Sequence, residues 1–451
     1  MIGSINNFNQ IVRTNSASKN HSVGMIKPVS NPIVSNNFST TSNVSFQANY
    51  QANIRTTLLA GDEIQMYNNL INVLSKDISP VATGDISSQQ KLAELLRNGK
   101  LLNNSSNDNT TTLKNLHDML TQPRVKGFDS VKLVKQAIDT LYKPSIITQT
   151  FGDIPNEVKS LILNNPEVSQ DIKNNPELLD VKNNGSGTCP AASLEFHLAN
   201  KRPAEFARWA NELTSPKMSV TQKLKMSSLS KNYMDAVWFL NAFETRPSYL
   251  DFQNAVLELK PDKNAYTRAH IQNGYYDKGE RNVLDVLIQS TLMQNASQQS
   301  YDSLSDIRAG KFNSNPQGLS SDEKTFIESI VTNEEKLSIV YQNIDDNQYL
   351  TSYKCDFAKI ENHIKQAIDI GEDVIIGYVF TDNSNKVTGG HEITIVDYKQ
   401  DKNGETIFVC NDTDDNNDEL IEYKASYLLP KIHHAGYPAH LVEHETALLN
   451  A

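Results

Sequence analysis

Cysteine is scarce in this chain. Only Cys189, Cys355 and Cys410 occur among 451 residues, and no two stand in a Cys-x-x-Cys spacing. Neither a disulfide framework nor a zinc ribbon is supported, and a reducing compartment or a task that needs one free thiol fits the count better. Long apolar runs are missing as well. The longest, such as Val374 to Phe380, are strand-sized and far short of the ~18 to 20 residues of a membrane span, so no transmembrane helix is expected. Positive charge is in deficit: a formal net charge of −11 gives no basic excess to displace counterions from nucleic acid or an anionic membrane. Acid is absent from the first 61 residues, which are crowded with Asn, Ser, Thr and Gln before Asp62 breaks the run. Such a segment buries too little apolar surface to offset chain entropy, so residues 1–61 are expected to form a disordered leader. It carries no basic stretch followed by a continuous apolar one, so no Sec signal peptide is expected. The expected location is cytoplasmic, or outside the cell by a signal-peptide-independent export route.

The remainder has the composition of a globular chain. With 38% hydrophobic and 21% charged residues it can bury at least one substantial core. From Asp62 to about residue 180 the periodicity predicts packed helices: Tyr67, Leu70, Ile71 and Leu74 share a face, as do Val131, Val134, Ala137, Ile138 and Leu141. Asn164-Asn165-Pro166-Glu167 recurs as Asn174-Asn175-Pro176-Glu177, and each copy reads as a helix start. Helical stripes continue through Glu205–Leu213, Met234 to Phe243, Asn282 to Met293 and a segment opened by the capping box Ser320/Glu323. Beyond about residue 335 the character changes. Strands are predicted at 336–343, 349–354, 374–380, 391–400 and 405–411, with an amphipathic helix from Phe357 to Ile370 stopped by Gly371. Asn403-Gly404 joins the last two strands as a hairpin. A helical half followed by an antiparallel sheet is an α+β layout.

Three separated segments carry chemistry. Gly185-Ser186-Gly187-Thr188-Cys189-Pro190 delivers a thiol to the start of a helix, where unpaired N–H groups and the positive end of the dipole favour thiolate. About two hundred residues later, Gly389-Gly390-His391 leads a histidine into a strand, and the following strand ends on Cys410-Asn411-Asp412. A histidine beside the thiolate needs a fixed acceptor on its second ring nitrogen, which Asp412 or Asn411 supplies from the neighbouring strand end. Cys355 and Cys410 sit in packing contexts. No metal is expected: His433, His434, His440 and His444 lack paired spacing and read as surface histidines. Asp412, Asp414 and Asn416 fall short of a calcium loop because Asn417 and Tyr423 occupy the glycine and glutamate places.

The string Gly187-Thr188-Cys189-Pro190-Ala191-Ala192-Ser193 resembles the nucleophile segment of papain-like cysteine peptidases. Gly390-His391-Glu392-Ile393-Thr394-Ile395-Val396 and Phe408-Val409-Cys410-Asn411-Asp412 are similar to the histidine and aspartate strands of the C39-like branch. The resemblance implies a papain-like catalytic domain over 181–435, with a helical insertion at about 200–335, extra helices at 62–180 and a tail at 436–451. It also implies Cys189 as nucleophile, His391 as general base and acid, and Asp412 as the orienting residue with Asn411 in reserve. Asn183 and Asn184 stand where the family carries its oxyanion glutamine and are expected to donate there with the Cys189 backbone. No cofactor is implied. The expected activity is peptide hydrolysis or a related acyl transfer, deamidation or transglutamination, on a protein or peptide substrate. A non-catalytic exported interaction protein on the same scaffold stays open.

Overall fold

The computed structural model describes residues 59–76, 85–181, 187–225, 256–275, 279–296, 300–309, 318–414, 418–445 and 448–449. Residues 1–58 of the expected leader, the expected helix at Met234 to Phe243, and both Asn183 and Asn184 lie outside them. Among the described residues four α-helices come first: α1 (Asp62–Leu74), α2 (Ser88–Arg97), α3 (Thr112–Thr121) and α4 (Ser130–Tyr142). Three begin on side chains that accept a backbone N–H of the first turn: Ser87 in a full capping box, Thr111 and Asp129. The predicted stripes face inward, with Tyr67, Leu70 and Leu74 buried on α1 and Val134, Ala137, Ile138 and Leu141 on α4.

The repeated Asn-Asn-Pro-Glu departs from expectation. Its first copy closes helix α5 (Asn156–Asn164) instead of opening one, because the Asn165 side chain bonds the Glu167 amide and turns the chain. After the short α6 (Gln170–Asn174), the second copy starts only a 3₁₀ turn, Pro176–Leu179. Helices α7 (Cys189–Lys201) and α8 (Pro203–Leu213) follow, then the antiparallel pair β1 (Val220–Lys223) and β2 (Val256–Leu259). Next come α9 (Ala265–Tyr275), α10 (Val283–Ala296), the small pair β3 (Ser300–Asp302) and β4 (Ile307–Ala309), and α11 (Ser321–Thr332), which begins on the predicted Ser320/Glu323 box.

The last third builds the sheet. Its strands are β5 (Lys336–Val340), then, past the side pair β6 (Gln342–Ile344) and β7 (Leu350–Tyr353) and helix α12 (Phe357–Asp369), β8 (Val374–Thr381), β9 (Val387–Gln400), β10 (Thr406–Asn411), β11 (Ile421–Lys424) and β12 (Ile432–Pro438). Their order is β11-β10-β9-β8-β12-β5, with every neighbouring pair antiparallel. The α+β layout stands. The hairpin at Asp401–Gly404 closes as predicted, with Gly404 at a φ of 81° that favours glycine.

Strand alternation divides the sheet between two cores. Ile375 and, partly buried, Val396 turn toward a large helical core. Val374, Ile376, Ile393, Ile395, Phe408 and Cys410 turn toward a second one, closed by α12. The helical core runs without a break from Leu59 on the N-terminal side through α7, α8, α10 and α11 to Ile375. The expected boundary at residue 180 therefore separates nothing in the packing: α1–α4 share one interior with the cysteine helix. The expected boundary at 435 also fails, because it cuts β12. That strand lies inside the sheet between β8 and β5, and Val340 N–H reaches on to the Leu448 carbonyl. His434, expected at the surface, is 2% exposed in it.

Candidate active site

Helix α7 is buried on all sides, with Ala191, Ala192, Leu194, Phe196 and Leu198 in the core and even Ser193, Glu195 and His197 sealed from solvent. A helix buried all round is fixed as a rigid rod, and Cys189 is its first residue, only half-buried. Pro190 fits directly after it because the first-turn N–H groups have no intrahelical acceptor to lose. Thr188 precedes the helix, and its carbonyl closes the first turn by accepting from Ala192 N–H at 2.9 Å.

His391 comes from β9, opposite Tyr378 on β8, whose ring meets the imidazole edge to face at 5.8 Å. The next residue anchors the strand. Glu392 is buried, and its carboxylate lies 3.1 Å from Lys324 of α11 and 3.4 Å from His434 of β12. Burial would raise that carboxyl, but Lys324 and His434 hold it below the usual range. The pairing needs Gly377 beneath it: a Cβ there would fall 2.1 Å from the His434 ring.

Asp412 follows the last residue of β10, which pairs with β9 through Asn411 opposite Thr394. Asp412 Oδ1 accepts from His391 Nε2 at 2.7 Å and from the Asp414 amide at 3.0 Å. Burial pushes the Asp412 carboxyl upward, but the hydrogen bond and charge of His391 outweigh it and hold the group below its ordinary value. Burial likewise disfavours a charged imidazole. The bond to Asp412 and a hydrogen-bonding contact with Cys189 overcome this and raise His391 well above the ordinary histidine value. Since Asp412 occupies Nε2, Nδ1 is the nitrogen left for the thiol.

The geometry thus brings Cys189, His391 and Asp412 together. Asn411 is not part of the set: it is 1% exposed, and neither its amide nitrogen nor the Thr394 hydroxyl opposite has a partner. Asp412, one residue on, takes the ring. Cys410 is fully buried with its thiol pushed upward by burial, and Cys355 is half-buried with its thiol also raised, so neither competes as a nucleophile. Two features escaped the sequence. One is Tyr378 against the imidazole, which looked like an ordinary strand aromatic. The other is the attachment of Thr413, next to Asp412, to the distant Thr148 and Gln149. Among the described residues no group of histidines, cysteines and carboxylates could hold a metal ion, and no helix is long and apolar enough to cross a membrane. The chain matches no family model and no curated protein.

Proposed function

We propose that this protein is a thiol-dependent acyl-transfer enzyme of papain-like organisation, acting first of all as a peptidase. The observation that carries the reading is the 2.7 Å bond between His391 Nε2 and Asp412 Oδ1, set against a cysteine at the head of a buried helix. The helical half brings the nucleophile and the antiparallel half brings its base, which supports the papain-like comparison.

The chemistry follows from the charges. A raised His391 favours a thiolate–imidazolium pair, and the thiolate attacks a peptide or glutamine carbonyl. The carbonyl oxygen takes up the displaced electron pair beside the Cys189 and Ala191 N–H groups of the first helical turn. As the C–N bond breaks, His391 gives its Nδ1 proton to the departing amine and a thioester remains on Cys189. Neutral His391 then takes a proton from water as its oxygen attacks the thioester. Collapse releases the carboxylic acid and restores the thiolate and imidazolium. An acceptor amine in place of water gives transamidation. Asp412 stays ionised throughout and holds the ring in the required tautomer.

The test is alkylation by iodoacetamide at about pH 6, where an ordinary thiol is almost wholly protonated. Cys189 should react well ahead of Cys355 and Cys410, with Cys189→Ala as the labelling control. Equal reactivity of all three would favour the non-catalytic scaffold.

A further inference from the structure

The partners of this site are rooted in different interiors. Cys189 heads a helix of the large core, whereas His391 and Asp412 adjoin strand residues of the second. Their separation depends on how those two bodies register, and one continuous run of hydrogen bonds crosses between them. It starts one residue after the acid, where the Thr413 carbonyl accepts from Thr148 Oγ1 at 3.0 Å and from Gln149 N–H at 3.0 Å. It continues from the Gln149 carbonyl to Arg281 Nη2 at 2.5 Å. The same Nη2 donates to Thr188 Oγ1, one residue before the nucleophile.

The segment 148–152 is tied at every step. Gln289 donates to the Thr148 carbonyl at 3.0 Å, and the Arg281 amide donates to that of Thr150 at 2.8 Å. The Phe151 ring lies under the guanidinium carbons of Arg281 and Arg268 at 3.8 and 4.2 Å, and Arg268 donates to the Gly152 carbonyl. Arg281 is fully buried and faces Asp306 at 3.6 Å. Its bond to Thr188 also redirects a helix cap: the hydroxyl accepts from Arg281 and makes no capping bond to α7. The first-turn N–H groups beside Cys189 are therefore left for a reacting oxyanion.

We infer that Arg281, through the Thr148–Gly152 strap, is a positioning residue that sets the approach of Cys189 to His391. The proposal rests on the thiol-enzyme reading. A guanidinium serves this role because its planar fork holds several acceptors at fixed angles, which an ammonium does not.

The test is the pH profile of Cys189 alkylation, read beside thermal unfolding. Thr188→Val keeps the side-chain volume and removes the acceptor. Its unfolding should stay close to that of the parent, while the acidic limb of its profile moves up by about one pH unit, roughly tenfold slower labelling near pH 6. Thr188→Ser should restore the parent profile. Arg281→Lys and Thr148→Val cut the strap at its middle and far end and should displace the limb in the same direction. They keep the inference testable if Thr188→Val does not fold. Variants that lose thermal stability but keep the parent's acidic limb would overturn the inference and leave the thiol-enzyme reading intact. A parent protein with no enhanced labelling at acid pH would overturn both.

Discussion

Replacing Asp412 by Asn isolates the charge that the proposed mechanism assigns to the site. The amide oxygen of Asn can still accept from His391 Nε2 and from the Asp414 N–H, the two bonds Asp412 Oδ1 makes at 2.7 and 3.0 Å. The geometry survives and only the negative charge is lost. A hydrogen bond to a charged group contributes about 1.5–3 kcal/mol, against about 1 kcal/mol for a neutral one. Removing that assistance from a ring about nine-tenths sealed from solvent shifts the balance between the thiolate–imidazolium and thiol–imidazole forms of the Cys189/His391 pair. The difference of about 0.5–2 kcal/mol corresponds to roughly 2- to 30-fold toward the neutral form. Asp412→Asn should therefore lower His391's affinity for its proton and slow iodoacetamide labelling of Cys189 at about pH 6 several-fold, up to about 30-fold. Circular dichroism should be unchanged. Labelling rates from timed quenching and mass spectrometry, with the His391 ring titrated by NMR, give both quantities from one sample set. Labelling within about twofold of the parent, with an unmoved His391 titration, would refute the argument that Asp412 sustains the imidazolium.

Two further perturbations probe the frame. Glu195 of α7 and Asp285 of α10 form a fully buried carboxyl pair. Burial and the neighbouring Asp285 charge push Glu195 well above its ordinary range, and burial raises Asp285 to about 7. Because these folded values exceed the unfolded ones near 4, the folded chain binds more protons, and the pair lowers stability progressively as pH rises from about 4 through 7. Glu195→Gln mimics the protonated acid and should raise the unfolding midpoint more at about pH 8 than at pH 5; equal gains at both would show that the pair shares no proton. At Gly377 a methyl group would meet the His434 ring at 2.1 Å, whereas at Gly274, late in α9, it would meet nothing within 4 Å. Gly377→Ala should lower stability by about 1–3 kcal/mol, and Gly274→Ala should raise it by about 0.5–1 kcal/mol; both are read by urea unfolding, and a reversed order would contradict the packing of β8 against β12.

The parts of the fold that were legible in the sequence are those specified locally. Asn403-Gly404 forces β9 and β10 to pair, which is why His391 and Asp412 could be expected side by side before any geometry was known. The Ser320/Glu323 box and the stripes of α1 and α4 act within a few residues and formed as read. What was hidden depends on distant neighbours. Strand β12 contains two histidines, a glycine and a proline, a poor strand composition, and is a strand because β8 and β5 flank it. Arg281 reads as a surface charge until Gln149, Thr188 and Asp306 surround it. The resemblance placed a boundary at residue 180, yet the apolar faces on either side meet in one interior. The register shift between Val409 and Cys410, which helps aim Asp412, has no local signal at all.

The strand order also fixes when the site can exist during synthesis. Strand β5 is the first of the six described sheet strands to be made, yet among the described residues the sheet strand it pairs with is β12, the last of the six. Cys189 leaves the ribosome about two hundred residues ahead of His391, and the sheet that holds His391 closes only when residues 432–438 insert between β8 and β5. A nascent chain thus carries Cys189 well before His391, and the proposed pair is framed by a complete sheet only after β12 has been made. The topology works as a built-in delay, keeping the sheet that carries His391 incomplete beside Cys189 until residues 432–438 have been made.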